Sequence, residues 1–277
     1  KPTGYSILNA DDDLVMTLKE KAKGEVILFS VKNDNPELLK HHADGNVIVT
    51  LIDGSIIIQK GSMISTIANV IEIPLTLEGN ALFNVSNTLA AVGTTYALGM
   101  NDRQIRAGVT SFSPSIGQSP GRMNIIDMGK FKVMIDYSHN IGAVIATGKM
   151  LPFVAPGKKI RLAAGTGNRR TQDIIEFGAS LAEFYDHVVI ADSDPRERAP
   201  GETSELVQQG LVQGGFPKDN VEIIIEAGEA VQKVLNMASD GDIVVIQADD
   251  IQQVIKDVIE YKERIAETFV HTLRFKK

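Results

Sequence analysis

Five adjacent residues carry an acid, a phenol, a hydroxyl, an imidazole and an amide: Asp136-Tyr137-Ser138-His139-Asn140. Upstream, Arg122 follows a Pro120-Gly121 turn with no acid close to it in sequence. A guanidinium so placed suits a phosphate or carboxylate held by two parallel hydrogen bonds; a surface salt bridge is the plain alternative. His139 beside Asp136 reads either as a ligand-binding imidazole or as a satisfied structural one. Three more polar stretches follow: residues 165–170 with Arg169 and Arg170, residues 192–198 with Asp192, Asp194, Arg196 and Glu197 (Glu202 shortly after), and residues 247–250. Such groups could hold anions in one place and cations in another. Farther upstream, Asn84 and Asn87 open a helical pattern, where they could bind a ligand or simply cap the helix. The trio Asp11-Asp12-Asp13 could meet a cation, but a solvated loop with a helix cap accounts for it, because hard-metal cages need more converging oxygens.

Positioning these residues falls to an alternating pattern. An apolar hairpin is expected from Ile125 to Ile135, turning at Gly129-Lys130. Helices are then expected near 140–151, 171–184, 202–213, 227–238 and 251–264, with strands near 159–164, 188–191, 221–225 and 243–247 between them. Strand–helix alternation at this spacing implies a mostly parallel sheet covered on both faces. Ligands of such sheets bind beyond the C-terminal strand ends, where the polar stretches fall. Gly165-x-Gly167-x-x-Arg170 lacks the third glycine of a dinucleotide fingerprint.

Residues 1–118 read as a first unit and 119–277 as a second. In the first, strands are expected at 5–8 and 25–30. A helix is expected over 14–23, capped by Asp12 or Asp13, and an extended piece over 71–77. Asp53-Gly54 turns a hairpin over 46–59 and suits a type I′ turn, which needs positive φ. Helices from Ser86 or Asn87 to Leu98, and from Asn101 or Asp102 to Phe112, complete it. No G-x-x-x-x-G-K-[ST] occurs, so no P-loop is present in these residues. The chain reaches strand-like sequence within a few residues of Lys1, which reads as a fragment with a part missing upstream.

The chain has 277 residues, 43% of them apolar and 23% charged, and a net charge of −7, as expected of a globular protein of two ordinary domains. There is no basic block with interleaved aromatics, which argues against a nucleic-acid partner. The absence of cysteine excludes disulfides and thiolate chemistry and fits a reducing compartment. No apolar run is long enough to span a bilayer, so the cytoplasm is expected.

Taken in order, these motifs resemble the ATP-dependent Mur ligase family, and within it the Mur-like part of cyanophycin synthetases. Asn9-Ala10-Asp11-Asp12 is similar to the family's N-A-D-D segment. Phe83-Asn84-Val85-Ser86-Asn87 with Leu89-Ala90-Ala91 is similar to its F-N-x-x-N-x-L-A-A helix. Pro120-Gly121-Arg122-Met123-Asn124 matches P-G-R-M-N, and Asp136 to Asn140 resembles D-Y-A-H-N. Gly167-Asn168-Arg169-Arg170 resembles G-D-R-R, and Pro200-Gly201-Glu202 resembles P-G-E. The likeness covers nearly the whole chain.

The resemblance implies an incomplete Mur ligase central domain followed by a Rossmann-like C-terminal domain, together α/β. It implies an ATP-dependent amide-forming ligase with an acyl-phosphate mechanism, adding arginine to the aspartate side chains of cyanophycin, with Mg2+ held by residues upstream of this chain. Arg122 would meet the phosphates, Asp136 the ribose and His139 the nucleotide, with Asn84 and Asn87 near the adenine. Arg169, Arg170 and Arg196 would bind substrate. Asp192, Asp194, Glu197 and Glu202 are candidates for the incoming arginine on charge alone. No catalytic residue and no metal ligand is assigned. The partners implied are ATP, an amino acid and a polyaspartate polymer, with a homo-oligomer expected and this stretch inactive by itself. Asn168, Thr171 and Gln172 stand where the family has acids, and Ser138 where it has alanine. A muramyl or folylpolyglutamate-type ligase and a non-catalytic nucleotide-binding or assembly module are the alternatives.

Overall fold

The computed structural model describes residues 3–274, with side chains to residue 267. The chain forms two compact units, Lys1–Ser113 and Pro114–Lys277.

The first unit is a five-stranded sheet in the order β1-β2-β3-β4-β5. Its strands are β1 (Tyr5–Asn9), β2 (Glu25–Ser30), β3 (Ile48–Ile52), β4 (Ser55–Lys60) and β5 (Met63–Asn69). The first three are parallel; β4 and β5 are antiparallel to their neighbours. Asp53 and Gly54 both take positive φ between β3 and β4, as the Asp-Gly turn predicts. The alternating burial of β2 divides the unit. Ile27 and Phe29 pack with Leu89 and Val92 of α3 (Leu82–Ala97), whereas Leu28 packs with Leu38 of α2 (Pro36–Ala43).

Three local expectations fail. The helix expected over 14–23 is one turn, α1 (Asp13–Met16), capped by Asp12 and followed by a 3-10 turn. The piece expected to be extended over 71–77 is two 3-10 turns, because Asn69 and Glu72 form a reciprocal cap and Pro74 opens the second turn. α3 begins at Leu82 with no side-chain cap, so Asn84 and Asn87 lie inside it and neither caps it. The last helix of the unit, α4 (Asp102–Ser111), is capped by Asn101 as expected.

The second unit is a six-stranded sheet in the order β10-β9-β8-β11-β7-β6, parallel except for the β6–β7 pair. Its strands are β6 (Asn124–Asp127), β7 (Lys132–Asp136), β8 (Lys159–Thr166), β9 (His187–Asp194), β10 (Val221–Ile223) and β11 (Ile243–Gln247). One face packs on α8 (Ala227–Met237) and α9 (Ile251–Arg274), through Val133, Ile160, Leu162, Val244 and Ile246 against Val231, Val234, Val254 and Val258. Helices α5 (Ile141–Val154), α6 (Thr171–Leu181) and α7 (Glu202–Gln213) complete the unit. Placing β11 between β8 and β7 brings the end of the last strand between two loops distant from it in sequence.

Candidate functional site

The turn at 120–124 and the end of β7 are pinned together by Asp136. Its carboxylate accepts from the backbone N–H of Met123 at 2.8 Å and from that of Ser138 at 2.8 Å. The N–H of Tyr137 donates to the Gly121 carbonyl at 3.0 Å. Gly121 takes φ +71°, and a Cβ there would lie 2.6 Å from Ile251 Cδ1, so both conformation and space require glycine. Asn124 is buried beneath the turn. Its amide donates to the carbonyls of Pro114 and Ser119, each at 2.9 Å, and its oxygen accepts from Gly121 N–H at 2.7 Å. The final asparagine of P-G-R-M-N is therefore the staple that shapes the turn. Arg122 stands exposed, its guanidinium 5.2 Å from the Tyr137 ring centre. The Tyr137 and His139 rings are 4.5 Å apart, and His139 Nδ1 lies 2.9 Å from the Tyr137 carbonyl. Arg122, Asp136 and His139 thus share one surface.

A cavity of about 290 Å³ opens beside His139, walled by Asn140, Gly142, Gly165, Thr166, Arg169 and Asp173, among others. The helices α5 and α6 begin there, and helix N-termini favour anions. Arg169 supplies a cation to the cavity. Arg170 points its charge at Asp173, with Nη2–Oδ1 2.6 Å and Nε–Oδ2 2.9 Å. That hydrogen-bonded guanidinium holds the Asp173 carboxyl below its ordinary range.

A second cavity of about 400 Å³ is lined by Glu226, Asp249, Asp250 and Asp257, with Ser193 and Gln253, and among the described residues no Lys or Arg contributes to its wall. Ala164, near the end of β8, lines both cavities.

The acids singled out in sequence for a cationic substrate stand elsewhere. Asp192 is buried and accepts from Gly201 N–H at 2.6 Å and from the Thr203 hydroxyl, which fixes the start of α7. Asp194 pairs with Arg196 at 2.7 Å, and Glu202 with Arg198 at 2.5 Å. Glu197 is exposed. Arg198 also donates to the Gly167 and Arg169 carbonyls at 3.0 and 2.9 Å, tying the two loops together. Gly167 is required at their junction, since a Cβ would lie 2.0 Å from the Pro195 carbonyl oxygen. The residues that line the acidic cavity were flagged in sequence only in part, through the polar strand-end stretches 192–198 and 247–250; Glu226, which caps α8, and Asp257, on α9, were not singled out.

Sequence reasoning also missed Arg161. It sits fully buried inside β8 and donates to Ser138 Oγ at 3.0 Å and to the Ser138 carbonyl at 2.7 Å. Tyr185 faces it, and burial pushes that phenol above its ordinary value while the nearby Arg161 charge pulls the other way.

In the first unit Asn84 is buried and donates to the Leu75 carbonyl at 3.0 Å, and Asn87 donates to Asn84 Oδ1 at 3.2 Å. Asn87 lines a largely apolar cavity of about 360 Å³ with Ile73, Leu75, Thr88, Gln104 and Phe112. Among the described residues no group of three or more His, Asp or Glu could hold a metal ion, and no helix is long and apolar enough to cross a membrane.

The Mur ligase, glutamate ligase domain family matches residues 121–249. A cyanophycin synthetase from Nostoc sp. is 34% identical over 256 residues, which is 92% of this chain and 28% of that protein. This chain therefore spans little more than a quarter of the length of that relative. Among solved structures, MurF from Acinetobacter baumannii superposes with a TM-score of 0.62 at 18% identity, covering 94% of this chain and 52% of that one. Folylpolyglutamate synthase from Mycobacterium tuberculosis, solved with ADP and AMPPCP, gives 0.59 at 15%, covering 89% and 52%. These two likenesses speak for the fold alone. With relatives aligned along nearly its whole length, the chain carries the Mur ligase, glutamate ligase domain over residues 121–249 of its second unit.

Proposed function

We propose that the chain is part of an ATP-dependent ligase that forms amide bonds through an acyl phosphate, joining arginine to the aspartate side chains of a cyanophycin-type polymer. The observation that carries this reading is the acid-lined cavity at the strand ends, with no cation in its wall among the described residues. It suits an amino acid bearing a guanidinium, and the likeness to cyanophycin synthetases supports the same substrate. Asp249, Asp250, Asp257 and Glu226 would receive that side chain, because they line the cavity, in place of Asp192, which is buried under the start of α7, and Glu202, which pairs with Arg198.

In the proposed reaction an aspartate side-chain oxygen attacks the γ-phosphorus of ATP and ADP leaves. The amino group of arginine then attacks the acyl carbon, phosphate leaves with the bonding pair, and the nitrogen gives up its proton. Charge builds on phosphoryl oxygens in the first step, and fixed cations stabilise it. On the second unit Arg122 and Arg169 are exposed cations near the polar loops, while Arg170 and Arg196 pair with Asp173 and Asp194, and Asp136 and His139 would present further groups to a nucleotide. In the first unit the cavity beside Asn87 has the apolar walls and few polar groups that suit an adenine. No P-loop motif lies in these 277 residues, and no cluster among the described residues fits Mg2+. We assign neither role to this chain, and turnover by these residues alone is not expected. A cytoplasmic homo-oligomer is the expected setting.

The experiment is ADP release by the full-length protein containing this chain, supplied with polyaspartate and single amino acids. Release with arginine well above that with glutamate or alanine is expected. Equal or absent release with arginine overturns the reading, and release with a muramyl peptide or folate acceptor redirects it within the family.

A further inference from the structure

Arginine is almost never fully buried unless its charge is paired. Arg161 is fully buried in the middle of a sheet, and none of its hydrogen-bond partners is a carboxylate. Burying an uncompensated cation is expensive, and the cost falls only where the guanidinium's donors are well satisfied. Those partners lie on other elements. Arg161 and Met134 both stand in register with Val245, one on each side of β11, so the Arg161 side chain spans that strand to reach Ser138 beyond β7. One nitrogen takes the Ser138 carbonyl at 2.7 Å, and the other takes the Ser138 hydroxyl at 3.0 Å, with the Tyr185 hydroxyl at 3.5 Å. Gln247 Oε1 lies 3.4 Å away, and its amide donates to the Ala164 carbonyl at 2.9 Å. Ala164 lines both cavities. Nε has no hydrogen-bond partner. The two shortest bonds are thus both made to one loop residue, to its backbone carbonyl and its hydroxyl.

We propose that Arg161 is a positioning residue: its buried guanidinium fixes Ser138, and through it the loop that presents Asp136 and His139. A lysine could not do this, because one ammonium cannot reproduce the planar fork that grips a carbonyl and a hydroxyl together. The same geometry explains why residue 138 is serine. An alanine there would deprive the buried cation of an acceptor. The proposal rests on the reading that residues 136–140 serve the nucleotide only for its kinetic consequence, not for the positioning itself.

The test is hydrogen exchange on the intact protein, read on peptides covering 119–124 and 136–144, with 187–194 as the internal control. Arg161→Met is expected to speed exchange in the first two by about tenfold or more and to leave the control within about twofold. Ser138→Ala, which removes one contact and keeps the fold, is expected to speed the same peptides severalfold. Arg161→Lys is expected to behave as Arg161→Met does. Uniform acceleration across all three peptides, no local change in Ser138→Ala, or full rescue by lysine overturns the proposal. In turnover, KM for ATP is expected to rise about tenfold in Arg161→Met with KM for the amino acid unchanged; equal rises in both would contradict positioning. A wild-type protein that consumes no ATP would end the functional reading and leave the exchange result to decide this one.

Discussion

The two cavities at the C-terminal edge of the second sheet share Ala164 and yet have opposite character. Both lie where helices begin, so both receive the positive end of helix dipoles. On one side α5 is capped by the neutral amide of Asn140, and α6 has no side-chain cap at all. Arg169 and His139 face the same space, and Asp173 in its wall is paired with Arg170. On the other side Glu226 caps α8, accepting from Glu229 N–H at 2.6 Å, and Asp250 accepts from Gln253 N–H at 3.1 Å near the start of α9. Those carboxylates offset the dipoles, and with Asp249 and Asp257 they turn the space acidic. A parallel sheet therefore does not dictate the charge of what binds at its edge; the choice of helix caps does. A ligase that joins a carboxylate to a cationic amino acid needs both characters close together.

This contrast can be broken by charge. Asp249→Asn with Asp257→Asn in the full-length protein should raise KM for arginine roughly 150-fold or more, at ~1.5–3 kcal/mol for each charged contact, and should leave KM for ATP nearly unchanged. Equal rises for both substrates would mean that the cavity is not the amino-acid site. Gly121→Ala probes the turn where the two sides meet, since Gly121 bonds to Tyr137 and touches Ile251. It should destabilise the second unit by about 1–3 kcal/mol, seen as an earlier denaturant midpoint. An unchanged midpoint would show that α9 shifts freely. Arg169→Ala should weaken binding of an anionic substrate roughly fivefold without changing the arginine KM, as an exposed charge contact is worth ~1 kcal/mol.

The smallest effect lies in the first unit. Burial lowers the His41 pKa, and the Val26 carbonyl at 2.9 Å only partly offsets this. The folded state then binds its proton less readily than the unfolded chain. The stability this contributes is complete above about pH 6.5, the unfolded value, and is lost as pH falls below it. His41→Gln should flatten that part of the stability–pH curve, while the midpoint of the second unit should not respond. A slope that survives the substitution would assign it to another group.

The strand–helix alternation and the hairpin turns were legible because each rests on local signals: an apolar run, a cap, a glycine with positive φ. The β-α order of the second unit follows from residues 124–264 with few errors of boundary. Helix α2 and strand β5 left weaker local marks and went unread, and the start of α3 was placed several residues late because Ser86 and Asn87 look like caps. For the candidate site, Asp136 and His139 stood out because they lie in one five-residue polar stretch, and Arg122 because it follows a Pro-Gly turn. Asn124 and Arg161 were not, since a polar residue inside an apolar strand gives no hint of the distant carbonyls that satisfy it.

The amino-acid sequence by itself determined the elements, their order and the motifs of the Mur ligase family, since these depend on neighbours along the chain. Only the tertiary structure decided which acids gather around one cavity. Asp192 and Glu202 look as available in sequence as Asp249 and Asp257, but Asp192 is held by Gly201 and Thr203 and Glu202 pairs with the cation of Arg198, whereas Asp249 and Asp257 accept from the neutral groups of Ser193 and Gln253 in a shared cavity wall. That distinction arises because β11 inserts between β8 and β7, and burial and hydrogen bonding act through space rather than along the chain.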